Sequence, residues 1–167
     1  MKTRKIAWMG MMVAVAFVLS YVEAMLPISF GIPGIKLGLS NIVVMLCLYE
    51  CSVKQTFGVA VIRIILTGLT FGNLSMMLYS LAGGMLSLFV MVLLKKCDGF
   101  SVYGVSIAGG VCHNVGQILI AVVILQQKGF LLYYLPFLLV AGCVSGACIG
   151  MIAAILNKRL HGIMNDE

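Results

Sequence analysis

Apolar runs follow one another along almost the whole chain, separated only by short clusters of turn-forming residues. They read as helices near 5–26, 37–51, 55–71, 74–94, 103–126 and 131–157. The breaks carry Pro27, Gly31, Pro33 and Gly34, then Gly72-Asn73, Asp98-Gly99 and Lys128-Gly129, residues that end helices by favouring turns or lacking a backbone donor. One crossing of the hydrocarbon core takes roughly 20 helical residues. The pattern therefore predicts an all-α integral membrane protein, one domain over 1–167 built as a bundle of six transmembrane helices. Composition argues the same way: 62% of the residues are hydrophobic and 10% charged, where soluble chains run near 45–50% apolar. Lys2, Arg4 and Lys5 before an apolar run, with Val22-Glu23-Ala24 beyond it, have the look of a signal peptide. The run from Ile6 to Val22 is longer than a signal core and is read as a retained first helix.

Charge sets the expected orientation. With the first residues cytoplasmic, the inner side holds Lys2, Arg4, Lys5, Lys54, Lys95, Lys96, Lys158 and Arg159, and the outer side Lys36 and Lys128. That asymmetry follows the positive-inside rule. It predicts a multi-pass protein of the cell membrane with both termini cytoplasmic. The net charge of +6 is thereby accounted for by topology and needs no nucleic-acid partner. The Pro27–Lys36 connection falls outside, with Ile28, Phe30, Ile32 and Ile35 between stiff corners. It reads either as a lid over an external cavity or as an interfacial loop.

Arg63 breaks the apolar pattern. A guanidinium at bilayer depth costs at least ~2.5 kcal/mol and is tolerated where it faces a protein interior or a wet cavity. Thr67 follows one turn later on the same face. On the fifth helix His113 and Gln117 share a face, beside Asn114, and at 1.5 Å rise per residue they come to a depth similar to that of Arg63. Glu23, Lys36, Ser40, Asn41 and Asn73 lie nearer the outside. Two readings compete: structural pairing of Arg63 with Glu23 plus amide bonds between helices, or a ligand pocket open to the outside. We favour the pocket, because one carboxylate cannot satisfy a guanidinium, an imidazole and several amides. Arg63 and Lys36 against Glu23 make it net positive, which points to an anionic or strongly hydrogen-bonding ligand with an apolar body. His113 is read as a neutral hydrogen-bonding group.

Small residues recur at helix-packing spacing. Gly142, Gly146 and Gly150 form one stripe and Gly10 and Ala14 a shorter one; such stripes pack helices within a bundle or dock a partner protein, and both are candidate docking surfaces. Ser80-Leu-Ala-Gly-Gly84 is echoed by Ser106-Ile-Ala-Gly-Gly110, which predicts a close fourth–fifth helix pair. Cys47, Cys51, Cys97, Cys112, Cys143 and Cys148 lack metal-site or disulfide spacing and are read as small buried side chains. No P-loop, haem pattern or metal-ligand set is visible, so no cofactor is expected. Aspartate-rich clusters of the kind that bind diphosphate and magnesium in prenyl synthases are missing as well. The chain is not expected to be an enzyme by itself.

Residues Pro33 to Asn41 (Pro-Gly-Ile-Lys-Leu-Gly-Leu-Ser-Asn), the Arg63 helix, and Gly109 to Gln117 (Gly-Gly-Val-Cys-His-Asn-Val-Gly-Gln) resemble the heptaprenyl diphosphate synthase component I family, also called the Gx transporter family. That family in turn resembles the substrate-binding S components of energy-coupling factor (ECF) transporters. The resemblance implies a six-helix bundle with an external lid loop, ligand capture, and a shared membrane coupling subunit with two ATPases. S components often dock through an Ala-xxx-Ala pattern on the first helix, from which Gly10-xxx-Ala14 departs. Two functions are carried forward. The first is an S-component-like uptake protein binding its ligand with Arg63, His113, Asn114, Gln117, Lys36, Asn41, Glu23 and Thr67. The second is a non-catalytic membrane subunit beside a soluble prenyl diphosphate synthase, within isoprenoid-quinone metabolism. A structural role beside a membrane redox complex is a weaker third reading.

Overall fold

Short polar links turn this chain back on itself, and three of them cap the helix that follows. Ser52 and Gln55 form a reciprocal capping box, with Gln55 N donating to Ser52 Oγ at 3.4 Å and Ser52 N to Gln55 Oε1 at 3.0 Å. Asn73 Oδ1 accepts from Met76 N at 2.7 Å, and Ser101 Oγ accepts from Gly104 N at 3.2 Å. Such caps satisfy amides that have no partner within their own helix.

The computed structural model describes residues 2–25, 38–97, 99–126 and 128–165. They form α1 (Lys2–Met25), α2 (Asn41–Glu50), α3 (Val53–Thr70), α4 (Leu74–Lys96), α5 (Val102–Leu125) and α6 (Lys128–Asn165). Five of the six are long and apolar enough to cross a membrane. Pro136 lies inside α6 without ending it. The segment expected to act as a lid, Pro27–Lys36, lies outside the described residues, and Lys36 with it.

The exception in length is α2. Its ten residues rise about 15 Å, half of a hydrocarbon core that is ~30 Å thick. The apolar run from 37 to 51 reads as a longer helix, but residues 39–40 form a turn and the helix begins at Asn41. Gly38 has φ +80° there, and a Cβ on it would lie 2.7 Å from Asn41 Nδ2. This start is left-handed backbone that glycine adopts without strain.

Interhelical contacts fix the rest. Gly58 lies beside Met9, and Phe71 stacks on Phe17 and Tyr21 with ring centroids 5.2 and 5.7 Å apart, so α1 and α3 run parallel. Gly68 meets Met77 and Gly84 meets Ile64, which makes α4 antiparallel to α3. Gly109 meets Met91, and Gly146 meets Ile107, so α5 and α6 alternate in turn. The start of α1 and the end of α6 thus lie at one end of the bundle, here called proximal. Outward-facing side chains are apolar, among them Leu69 (74% exposed) and Phe137 (71%). A belt of that kind suits lipid and not water.

α2 occupies the middle of the proximal half. Every residue from Ile42 to Leu48 is buried, as expected of a helix that is apolar all round. Met45 and Leu48 share a core with Ala60 of α3, Leu88 and Met91 of α4, Val105 of α5, and Ile149 and Ala153 of α6. Val43 and Cys47 pack with Met12 and Ala16 of α1. At its proximal end Lys95 Nζ donates to Leu48 O and lies 4.8 Å above the Tyr49 ring. A cation at a helix C-terminus is favourably placed.

Two expectations need correction. Gly142, Gly146 and Gly150 are not available to a partner protein, because they face α5: a Cβ on Gly146 would lie 2.7 Å from Ile107 Cα, and one on Gly142 2.9 Å from Gly110 O. Gly10, by contrast, has nothing within 4 Å, and Ala14 is exposed with it. The close α4–α5 pair expected from the Ser-x-Ala-Gly-Gly echo is present, with Gly83 on His113 and Gly109 on Met91, while Gly110 also packs on α6 at Gly142. Of the six cysteines, Cys47 is buried, while Cys97, Cys143 and Cys148 are exposed.

Candidate functional site

Arg63, in the second half of α3, reaches inward to the start of α2. It is 6% exposed. Its Nη1 donates to Ser40 Oγ, and its Nη2 donates to Asn41 Oδ1 at 3.4 Å. Ser40 is the N-cap residue of α2, yet it makes no side-chain cap: its hydroxyl oxygen is taken by the guanidinium. The first turn is closed by backbone bonds instead, Asn41 N to Gly38 O at 2.8 Å and Ile42 N to Leu39 O at 3.1 Å. Gly38 N donates to Glu23 Oε1 of α1. One carboxylate, one guanidinium and one helix start therefore meet within the bundle.

The charges at this junction do not cancel. A helix N-terminus carries roughly half a positive charge, Arg63 adds a full one, and Glu23 supplies a single negative charge. Among the described residues a positive surplus of roughly one half remains. It sits within the bundle, where an anion would be held more strongly than at a surface.

A cavity of about 30 Å³ opens at this point. α1 contributes Ser20 and Glu23, the α2 start Gly38, Ser40 and Asn41, α3 Arg63, Ile64 and Thr67, α4 Ser80, and α5 His113 and Gln117. Ile64 is the one large apolar side chain among these. The volume suffices for about two waters, each needing some 10–15 Å³. Arg63 Nε, His113 Nδ1 and Gln117 Oε1 are buried and have no hydrogen-bond partner. A polar atom left in that condition costs about 1–3 kcal/mol, so the cavity lacks partners on two of its walls. Thr67 donates to Arg63 O at 3.0 Å and to Ile64 O at 3.1 Å, turning its hydroxyl to its own helix.

The chain matches the family described as heptaprenyl diphosphate synthase component I over residues 12–156. It belongs to that family. No curated protein and no solved structure matches it.

In this heptaprenyl diphosphate synthase component I protein, the residues singled out from sequence divide into three groups. The fold brings Arg63, His113, Gln117, Asn41, Glu23 and Thr67 to one cavity. Asn114 goes elsewhere: its Nδ2 donates to Leu138 O of α6 at 2.8 Å. One residue along a helix is a turn of about 100°, which carries Asn114 off the face shared by His113 and Gln117. Asn73 caps α4, and Lys36 lies outside the described residues. Ser20, Gly38 and Ser80 line the cavity without having been anticipated. Ser20 stands three residues before Glu23, on the same helical face, and that spacing was the available signal.

Proposed function

We propose that this family member is the substrate-binding membrane component of an S-component-like uptake system, capturing a small molecule whose anionic or polar group meets Arg63. One observation carries the reading. A buried guanidinium and a buried amide face a polar cavity with hydrogen-bonding atoms unused, at the start of a half-length helix. Half-helices whose N-termini point into the bilayer interior are a recurring way to hold anionic groups in transporters. The apolar body of the ligand would lie toward the distal end. His113, Gln117 and Asn41 orient the polar group, and Glu23 holds the α2 start in place. On this reading the bundle is a six-helix S-component architecture in the cell membrane, proximal end and both termini cytoplasmic. Its partners are a membrane coupling subunit and ATPases that reorient or open the bundle, since the chain has no nucleotide-binding motif of its own.

The experiment is native mass spectrometry of the protein extracted from its own membranes. Wild type should carry one small-molecule adduct, and Arg63→Ala should lose it while remaining monodisperse. Equal retention by the variant would remove Arg63 from the site.

The family description supports a second reading, a non-catalytic membrane subunit associated with heptaprenyl diphosphate synthase. It predicts copurification with a soluble prenyl synthase whose activity falls when this chain is removed. The first reading predicts copurification with ATPases and no such fall.

A further inference from the structure

We infer that Gly83 of α4 is a positioning residue for the ligand site: by carrying no side chain, it sets where His113 and Gln117 of α5 stand at the cavity. This deepens the proposed function and rests on it, since there these two residues orient the captured group.

α4 gives the cavity only Ser80 among the described residues, yet it separates two of the walls. Both α3 and α5 pack on α4. Gly83 and Gly84 follow Ser80 at i+3 and i+4, a spacing that keeps them on its side of the helix. Gly84 lies against α3, where a Cβ would come 3.1 Å from Ile64 Cδ1, and Ile64 lines the cavity next to Arg63. Gly83 lies against α5. The thickness of α4 at this one step therefore spaces the Arg63 wall from the wall of His113 and Gln117.

Gly83 is the tighter of the two. A Cβ there would lie 2.6 Å from His113 O, 2.9 Å from Gln117 Cγ and 3.2 Å from His113 Nδ1. Two of these atoms belong to side chains that line the cavity, and the nearest is backbone. Rotation of a side chain alone cannot make room for a methyl group against a backbone oxygen, so α5 itself has to shift. Gly116 makes the same crossing from the other helix, with a Cβ on it 2.8 Å from Gly83 Cα. Gln117 Oε1 and His113 Nδ1 have no hydrogen-bond partner to direct them, which leaves packing to set where these atoms stand. Comparable crowding exists on the far side of α5, where a Cβ on Gly146 would lie 2.7 Å from Ile107 Cα. α6 contributes no described residue to the cavity, so Gly146 serves as a control of similar closeness.

The test compares Gly83→Ala with Gly146→Ala in lipid nanodiscs. The chain has two histidines, His113 and His161, so the His113 imidazole nitrogen signals are assigned in a His161→Gln background. Both glycine variants should melt below wild type. Gly83→Ala alone should move the His113 signals, and it should cut the small-molecule adduct carried from native membranes, read by native mass spectrometry, about tenfold. Unmoved His113 signals in Gly83→Ala, or equal changes in Gly146→Ala, would overturn the inference. If Gly83→Ala is not monodisperse, wild type decides: a nuclear Overhauser contact between the Gly83 α-protons and the Gln117 γ-protons is expected, and its absence overturns the inference as well. An adduct on wild type that Gly83→Ala keeps in full would overturn this inference and leave the ligand site standing. No adduct on wild type would remove both.

Discussion

Two residues decide the site, and they differ in how visible they are in the sequence. Arg63 is conspicuous because a charge among isoleucines has few places to go in a bilayer; the fold turns it inward onto Ser40 and Asn41. Gly38 is inconspicuous, one glycine among nineteen, and only its φ of +80° reveals what it does. A side chain there costs about 1–2 kcal/mol in the left-handed region and also crowds Asn41. Gly38→Ala should therefore lower the melting temperature in detergent by several degrees and weaken ligand retention. An unchanged melting temperature would mean that the turn is not tightly held. Asn114 shows how sequence reading fails at this scale. Polarity and nearness to His113 pointed to the cavity, but its direction is set by helical phase, and it bonds α6. Asn114→Leu should then loosen α5 against α6, seen as a lower melting temperature, with any retained ligand still bound.

Among the elements, α2 departs most from expectation. Five helices have the length and hydropathy of membrane spans, and the positions of their ends were largely legible from turn residues. α2 was legible as an apolar helix but not as a half-length one, because its shortening depends on the turn at Gly38 and on burial by five neighbours. It is held at both ends by cations, Arg63 at its start and Lys95 at its finish. Lys95→Met removes the bond to Leu48 O and the contact with Tyr49, and should cost about 1 kcal/mol of stability, measured by thermal unfolding in detergent. Packing of the other helices makes a sharper contrast. Gly146→Leu drives a side chain into the α5 backbone at Ile107 and should abolish a monodisperse peak in size-exclusion chromatography. A Cβ at Gly10 meets nothing within 4 Å, and Gly10→Leu should elute as wild type. If both variants behaved alike, the α5–α6 contact would not have the closeness described.

At the scale of the whole molecule, the membrane class was readable from composition alone, since 62% hydrophobic residues cannot be buried in a chain of this size. Family membership followed from two short motifs and is matched over 12–156. What no pattern could give is the cavity, because it is made by five separate elements whose polar residues are scattered from Ser20 to Gln117. Spacing within one helix predicts a shared face, but not which faces meet across helices. The account as a whole depends on α2 beginning inside the bilayer, beside a charged residue and an open space. Cryo-electron microscopy of the protein in a lipid nanodisc, with an antibody fragment for alignment, measures that depth directly. The prediction is that Ser40 and Arg63 lie at one level near the bilayer midplane, with non-protein density touching Arg63 and Gln117. An α2 that starts among the lipid headgroups, or an Arg63 closed off by protein on every side, would contradict it.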